Sequence, residues 1–367
     1  MQAQAAVLEA PSGPWTIETI QLEPPGPGQV MVQITAAGIC HTDLIFASGA
    51  MNSPFPLVLG HEGAGVIHSV GPGVSDLAPG DKVLLTFDSC GACPCCAAGE
   101  PSYCHSFLPL NFAVADVTGK VTARRQNGAA LSTRFFGQSS FGSHAVANRR
   151  NVLKIDARAD ETILAPLGCG IQTGAGAVLR SLKARPGSDI VVMGGGAVGL
   201  SAIMAARIAN CREIILIEPN AERRKLAQEL GATRVIDPIG TDTTAAVRAI
   251  CPAGVANVLD TSGNMAAIGA AIGMLAPHGA LGLVGVPGSL DAVLPLPIVP
   301  VISAGFRVIG IIEGDSDPAS FLPELLAHHA AGRLPVGKLV RHYPFDQIAT
   351  AIDDAHHGRV IKAVLTF

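Results

Sequence analysis

The segment from Ile190 to Leu230 constrains this chain most, because it fixes the direction of consecutive elements. Ile190–Met193 is a short, fully apolar run, and Gly194-Gly195-Gly196-Ala197-Val198-Gly199 follows it at once. An apolar, helix-length stretch, 197–209, comes next, then a second apolar run over 213–218. Short apolar runs alternating with helical stretches predict parallel strands joined by crossover helices, a doubly wound sheet in an α/β fold. Ala221–Leu230 predicts the next helix, closed by Gly231 as a C-cap. Strands over 256–259 and 279–284, with an alanine-rich helix near 265–275 between them, continue the pattern.

The glycine turn carries G-x-G-x-x-G between a strand and a helix, the context in which the motif binds a dinucleotide. Gly194 serves the tight turn, Gly196 the close approach of pyrophosphate, and Gly199 the packing of helix on strand. The first turn of that helix, with Val198, then presents N–H groups to phosphate. Glu218 ends the next strand 24 residues after Gly194, where a carboxylate binds the adenosine ribose hydroxyls. That charge repels a 2′-phosphate, so NAD is expected over NADP. Arg223 is either a second ribose contact or a solvated helix residue.

The first third has a different texture. Strands are expected over 30–36, 63–70 and 81–85, separated by clusters such as Pro24-Pro25-Gly26-Pro27-Gly28 and Gly71-Pro72-Gly73. This predicts an all-β, barrel-like domain. The two domains are expected at 1–170 plus 312–367 and at 171–311.

Nine cysteines occur without a basic-then-apolar leader at the N-terminus, which points to metal binding before disulfides. Cys90, Cys93, Cys96 and Cys104 lie at spacings of three, three and eight in a loop rich in glycine and proline. Four thiolates so placed suit tetrahedral zinc, which would supply the folding energy that this loop cannot gain by burial. Cys95 makes the register ambiguous; free or paired cysteines, or an iron–sulfur cluster, are the alternatives. Cys40, His61 and Cys169 offer two thiolates and one imidazole, a set that leaves zinc a fourth position for substrate oxygen.

A net charge of −4 and scattered basic residues argue against a nucleic-acid partner. Apolar runs broken by glycine and Arg207 argue against a membrane span. A cytoplasmic protein is expected.

The run Gly60-His61-Glu62-Gly63-Ala64-Gly65-Val66 resembles the zinc signature of medium-chain alcohol dehydrogenases. Cys40, the four-cysteine loop, Cys169 and the glycine turn occur in that family's order over essentially the whole chain. The stretches 135–141, 165–174 and 312–316 resemble its aryl-alcohol (benzyl alcohol) branch more narrowly. The resemblance implies a GroES-like catalytic domain, completed by the chain's last strand, beside a Rossmann domain. It implies one catalytic and one structural zinc per subunit, NAD, a small alcohol or aldehyde as substrate, and a homodimer or homotetramer.

By the same resemblance Cys40, His61 and Cys169 hold the catalytic zinc, and Asp43 accepts the other ring N–H of His61. Glu62 lies beside the metal, either approaching it during ligand exchange or acting as a structural carboxylate. Thr42 passes the alcohol proton towards the ribose hydroxyls, Thr173 packs near the nicotinamide, and His41 and Lys362 face the pyrophosphate, an ordinary surface lysine being the alternative for Lys362. Apart from the resemblance, Phe87, Phe112 and Phe141 are candidate pocket aromatics for a flat benzylic or allylic alcohol, with a place in the core as the commoner alternative for each. Glutathione-linked formaldehyde dehydrogenase and secondary-alcohol dehydrogenase remain alternatives, as does an NAD-binding structural protein without activity.

The sequence departs from well-known animal members at Ile45, where a histidine often ends the proton relay. A side chain that cannot ionise leaves water or another base to take the proton. Ile45→His is therefore expected to alter the pH dependence of kcat/KM for alcohol oxidation. An unchanged profile would count against a relay running past this position.

Overall fold

The computed structural model describes residues 1–51, 53–113 and 122–367, which divide into two units. One unit comprises Met1–Cys169, Asp317–Leu325 and Val336–Phe367; the other comprises Gly170–Ser316 and Leu326–Pro335.

The first unit holds two sheets. Gln2–Leu8, Trp15–Leu22, Ala123–Arg125 and Ala130–Leu131 form an antiparallel sheet of four. The larger sheet has seven strands, and its centre is Gln29–Gly38, which pairs antiparallel with Glu62–Val70, His144–Asn148 and the C-terminal strand Lys362–Thr366. Both faces of Gln29–Gly38 are largely covered, so its run of Val30, Met31, Val32 and Ile34 is buried throughout. Gly38 sits opposite Glu62 on one side and Val364 on the other. The register thus brings the far end of the chain beside the His61-Glu62 pair.

This unit is not purely β. Cys40 caps the short helix His41–Ala47, and Pro94–Ala97 and Phe107–Asn111 are further helical turns. Turn-rich sequence concealed them, because segments of four to seven residues are too short for a helical period to register.

The second unit is a six-stranded parallel sheet in the order Arg234–Ile236, Ile214–Ile217, Ile190–Met193, Val255–Asp260, Leu275–Leu283, Arg307–Gly310. Numbered within the unit this is 3-2-1-4-5-6, the dinucleotide-binding winding. Ile190–Met193 and Ile214–Ile217 are buried at every position, as strands covered on both faces must be. Ala197–Ile208, Ala221–Leu230, Thr243–Ile250 and Met265–Met274 are the principal helices between strands. Asn220, Asp242 and Asn264 cap three of them through side-chain oxygens, and Gly231 closes the second with φ +126°.

Two boundaries differ from the sequence reading. The strand expected from Gly279 begins at Leu275, which pairs with Val255 before a register irregularity resumes the ladder at Ala280. The return to the first unit falls at Asp317 instead of residue 312, because the turn Glu313–Asp315 packs on the helix Gly170–Gly176. Residues 326–335 also count with the sheet unit. No single described helix is long and apolar enough to cross a membrane.

Candidate functional site

Asp43 organises the first cluster. It occupies the third position of the helix that Cys40 caps, and its Oδ2 accepts the Cys40 backbone N–H at 2.9 Å. Its Oδ1 accepts the Gly60 N–H at 3.0 Å and meets His61 Nδ1 at 3.0 Å. The fully buried carboxylate therefore ties the segment bearing Cys40 to the segment bearing His61. It also assigns the Nδ1 proton, leaving the Nε2 lone pair available.

Cys169 is fixed separately. Thr86 donates its hydroxyl to the Gly168 carbonyl at 2.8 Å, and a Cβ at Gly168 would collide with the Leu85 carbonyl. The ligand atoms of Cys40, His61, Glu62 and Cys169 all lie within 4.8 Å of one another. His61 Nε2 is buried and has no hydrogen-bond partner. A desolvated ring nitrogen costs free energy unless something coordinates it, and two thiols with one imidazole are a catalytic zinc set. The residues fit zinc. The Cys40 thiol is held well below its usual range by hydrogen bonding from Cys169, against the opposing effect of burial; His61 and the Lys362 charge add to the lowering. Thr42 Oγ1 lies 3.8 Å from Cys40 Sγ.

Glu62 is equally buried, and its partner is Lys362. The ammonium donates to Oε1 at 2.9 Å, Oε2 at 3.0 Å and the Ile39 carbonyl at 3.0 Å. Only 3% of Lys362 is exposed. Its three ammonium protons have these acceptors, as a buried cation requires. Gly38 makes room, since a Cβ there would overlap Glu62 Oε2. His41, the other residue expected at the pyrophosphate, is exposed on its short helix.

The four-cysteine loop forms the second cluster: Cys90, Cys93, Cys96 and Cys104 bring their sulfurs within 4.8 Å of one another. Cys95 is outside it, which settles the register. Backbone N–H groups of Ala92 and Cys93 point at Cys90 Sγ, and those of Cys90 and Ser106 at Cys104 Sγ. Such donors favour thiolate; the Cys96 and His105 amides bring Cys93 down to about 6, whereas at Cys104 burial outweighs them and pushes the thiol up to about 12. Among the described residues these two are the groups with metal-binding geometry.

In the second unit Gly194 has φ +98°, which only glycine adopts freely. A Cβ at Gly199 would strike the Gly194 carbonyl, so helix and turn touch there. One at Gly196 would meet nothing within 4 Å, leaving room for a ligand against the backbone. Glu218, 4% exposed, accepts the Gly195 N–H at 2.6 Å and the Asn220 N–H at 2.8 Å, holding its carboxylate over the glycine turn. Half-buried Arg223 flanks Gly195, Val198 lies in the first turn of the helix, and Thr173 is buried on Gly170–Gly176.

The candidate pocket aromatics separate. Phe141 is fully buried against Trp15 and Gly60, in the core; Phe87 is 3% exposed and borders a cavity of about 280 Å³ with Arg149 and Asp317. Phe112 is half-buried in a cluster with Phe46, Phe107 and Phe136. Sequence reasoning missed Phe135 and Phe136 here, although their rings pack on His61 at 5.4 and 4.4 Å. Their run carries a family likeness, but nothing in its pattern announces a partner some seventy residues earlier.

A buried ion pair makes a sharp stability test. Lys362→Met strands the Glu62 carboxylate and is expected to cost about 3–5 kcal/mol in chemical denaturation. Adding Glu62→Gln should recover part of that loss. A single variant as stable as the parent would show that the pair contributes nothing.

The chain also matches known proteins. Residues 26–157 match the Alcohol dehydrogenase GroES-like domain family, and residues 197–328 match the Zinc-binding dehydrogenase family. Geraniol dehydrogenase of Castellaniella defragrans is 43% identical over 100% of this chain and 98% of its own length. The crystal structure of an alcohol dehydrogenase zinc-binding domain protein from Burkholderia ambifaria is 42% identical, with TM-score 0.98 over 100% of this chain and 99% of that one. That of benzyl alcohol dehydrogenase from Acinetobacter calcoaceticus is 35% identical, with TM-score 0.96 over the same shares. With full-length relatives, a zinc ligand set and a dinucleotide-binding sheet in one chain, this protein belongs to the zinc-dependent medium-chain alcohol dehydrogenase family.

Proposed function

We propose that this enzyme reversibly oxidises a primary benzylic or allylic alcohol to its aldehyde, with NAD as the hydride acceptor. The observation that carries the substrate class is the aromatic cluster beside His61. Phe112 meets Phe46 at 5.1 Å and Phe136 at 5.3 Å, and Phe136 lies against the imidazole. Of these rings only Phe112 is half-exposed, so it is the one able to meet a flat substrate. The geraniol and benzyl alcohol dehydrogenases among the relatives support the same class.

When bound, zinc supplies Lewis-acid polarisation of the alcohol oxygen and NAD accepts the carbinol hydride. Cys40, His61 and Cys169 would hold the metal, and Asp43 keeps His61 in the tautomer that presents Nε2. The Thr42 hydroxyl takes the alcohol proton and passes it to water, because Ile45 offers no ionisable group. Glu62, neutralised by Lys362, is a carboxylate the site can keep buried next to its metal ligands.

NAD is favoured over NADP by Glu218. The neighbouring Arg224 is occupied with the Glu218 and Pro219 carbonyls at 2.8 Å each and with Asp237 at 3.0 Å. A 2′-phosphate would meet a carboxylate and find that guanidinium taken. The proposal extends to a cytoplasmic homodimer or homotetramer acting without nucleic acid or membrane. Exposed Val293, Ile298, Val299 and Ile302 support self-association.

Catalytic efficiency on benzyl alcohol, geraniol and ethanol, each with NAD and NADP, tests both choices. Benzyl alcohol or geraniol should exceed ethanol by roughly 10²-fold or more with NAD. A preference for ethanol would defeat the aromatic and allylic reading, and a preference for NADP would defeat the role given to Glu218.

A further inference from the structure

Residues 58–61 lead into the strand Glu62–Val70 but belong to no strand themselves, so their backbone groups need partners from elsewhere. One short segment, 138–141, supplies them for all four carbonyls, while the Gly60 amide goes to Asp43 and the Val58 amide to the Ser132 carbonyl. Ser139 donates its hydroxyl to the Val58 carbonyl at 2.6 Å, and the Phe141 and Ser140 amides donate to the Leu59 and Gly60 carbonyls at 2.9 Å each. Gln138 Nε2 donates to the His61 carbonyl at 2.9 Å and to Thr86 O at 3.2 Å, while its Oε1 accepts the Gly63 N–H at 3.0 Å. Four consecutive carbonyls, ending on the metal-ligating histidine, are thus bonded by four consecutive residues.

The same loop holds the ring. Phe136 stacks on the His61 imidazole with centroids 4.4 Å apart and planes 22° apart, and Phe135 meets it edge-on at 5.4 Å. This placement requires unusual backbone: Phe136, Gly137 and Ser139 have φ of +51°, +65° and +49°. A non-glycine residue in the left-handed region costs on the order of 1–3 kcal/mol and persists only where its surroundings over-determine it. Here the strained residues are those that contact His61 and its flanks.

We propose that Phe135–Phe141 is a clamp that positions His61 for metal, with Gln138 fixing the ligand's backbone and Phe136 its ring. Both are positioning residues, since they act through His61 and not on substrate. Asp43 sets the proton and the Nδ1 side of the imidazole; the clamp sets ring orientation and depth. The inference rests on the assignment of His61 as a zinc ligand. Partners that orient a metal ligand are typically worth 10–100-fold in metal affinity.

The test is zinc release from the purified holoenzyme to a chromophoric chelator, counted in equivalents per chain, with Cys169→Ser identifying which equivalent belongs to the His61 site. Phe136→Gly removes the ring while keeping a residue at ease at positive φ; Gln138→Met keeps length without hydrogen bonds; Phe136→Tyr restores the ring. In the first two variants the His61-site zinc should leave roughly tenfold faster or more, with the four-cysteine zinc unchanged. Phe136→Tyr should stay near the parent rate. Parent-like release in both Phe136→Gly and Gln138→Met overturns the clamp. So does simultaneous loss of both zincs with collapse of the melting transition, because that outcome makes the segment ordinary core. A parent enzyme whose second zinc does not depend on Cys169 overturns the metal assignment itself.

Discussion

One buried carboxylate holds the metal cluster together. Asp43 receives N–H groups from Cys40 and Gly60 and the Nδ1 proton of His61, so two ligands 21 residues apart share one anchor. Its hydrogen bonds are satisfied wholly within the protein, which lets a charged group sit at 0% exposure. Neither the helix start at Cys40 nor the loop before His61 would define a ligand position alone. Their common bond to Asp43 ties two separate segments into one geometry, and Thr86 adds Cys169 by holding the Gly168 carbonyl.

A second buried charge pair sits beside the first. Glu62 follows the histidine directly in sequence, so a carboxylate unavoidably enters the buried cluster. The fold answers with the C-terminal strand, whose register against Gln29–Gly38 brings Lys362 onto Glu62, and with Gly38, whose missing side chain leaves the space. The last strand is therefore part of the electrostatics of the metal site as well as of the sheet. The residue type of Lys362 is visible in the sequence, while its pairing with Glu62 depends on strand register and joins residues 300 positions apart.

What the sequence revealed divides along the range of the interactions. The glycine turn, the parallel strands around it, the helix Ala221–Leu230 and the cysteine spacing are local patterns, each with a local physical cause, and all were readable. The choice of Cys96 over Cys95 rests on likeness alone in the sequence, because both lie in the right loop; the fold distinguishes them by sulfur position. The loop 135–141 was conspicuous as a string, but its work lies in hydrogen bonds to carbonyls 58–61, which carry no side-chain signature. Phe141 is a pocket candidate by residue type alone, and core is the commoner place for such a ring. It fills the space that Gly60, at φ +92°, leaves behind the histidine.

The proposed chemistry requires Cys40, His61 and Cys169 to share one zinc while the four-cysteine loop holds another. Zinc counting combined with zinc-edge X-ray absorption, on the parent chain and on His61→Ala, addresses this directly. The parent should carry two zincs per chain, one with imidazole and sulfur neighbours and one with sulfur alone. His61→Ala should lose the imidazole scattering and keep a single all-sulfur zinc. Two zincs retained with an unchanged spectrum, or a parent with only the all-sulfur zinc, would contradict it.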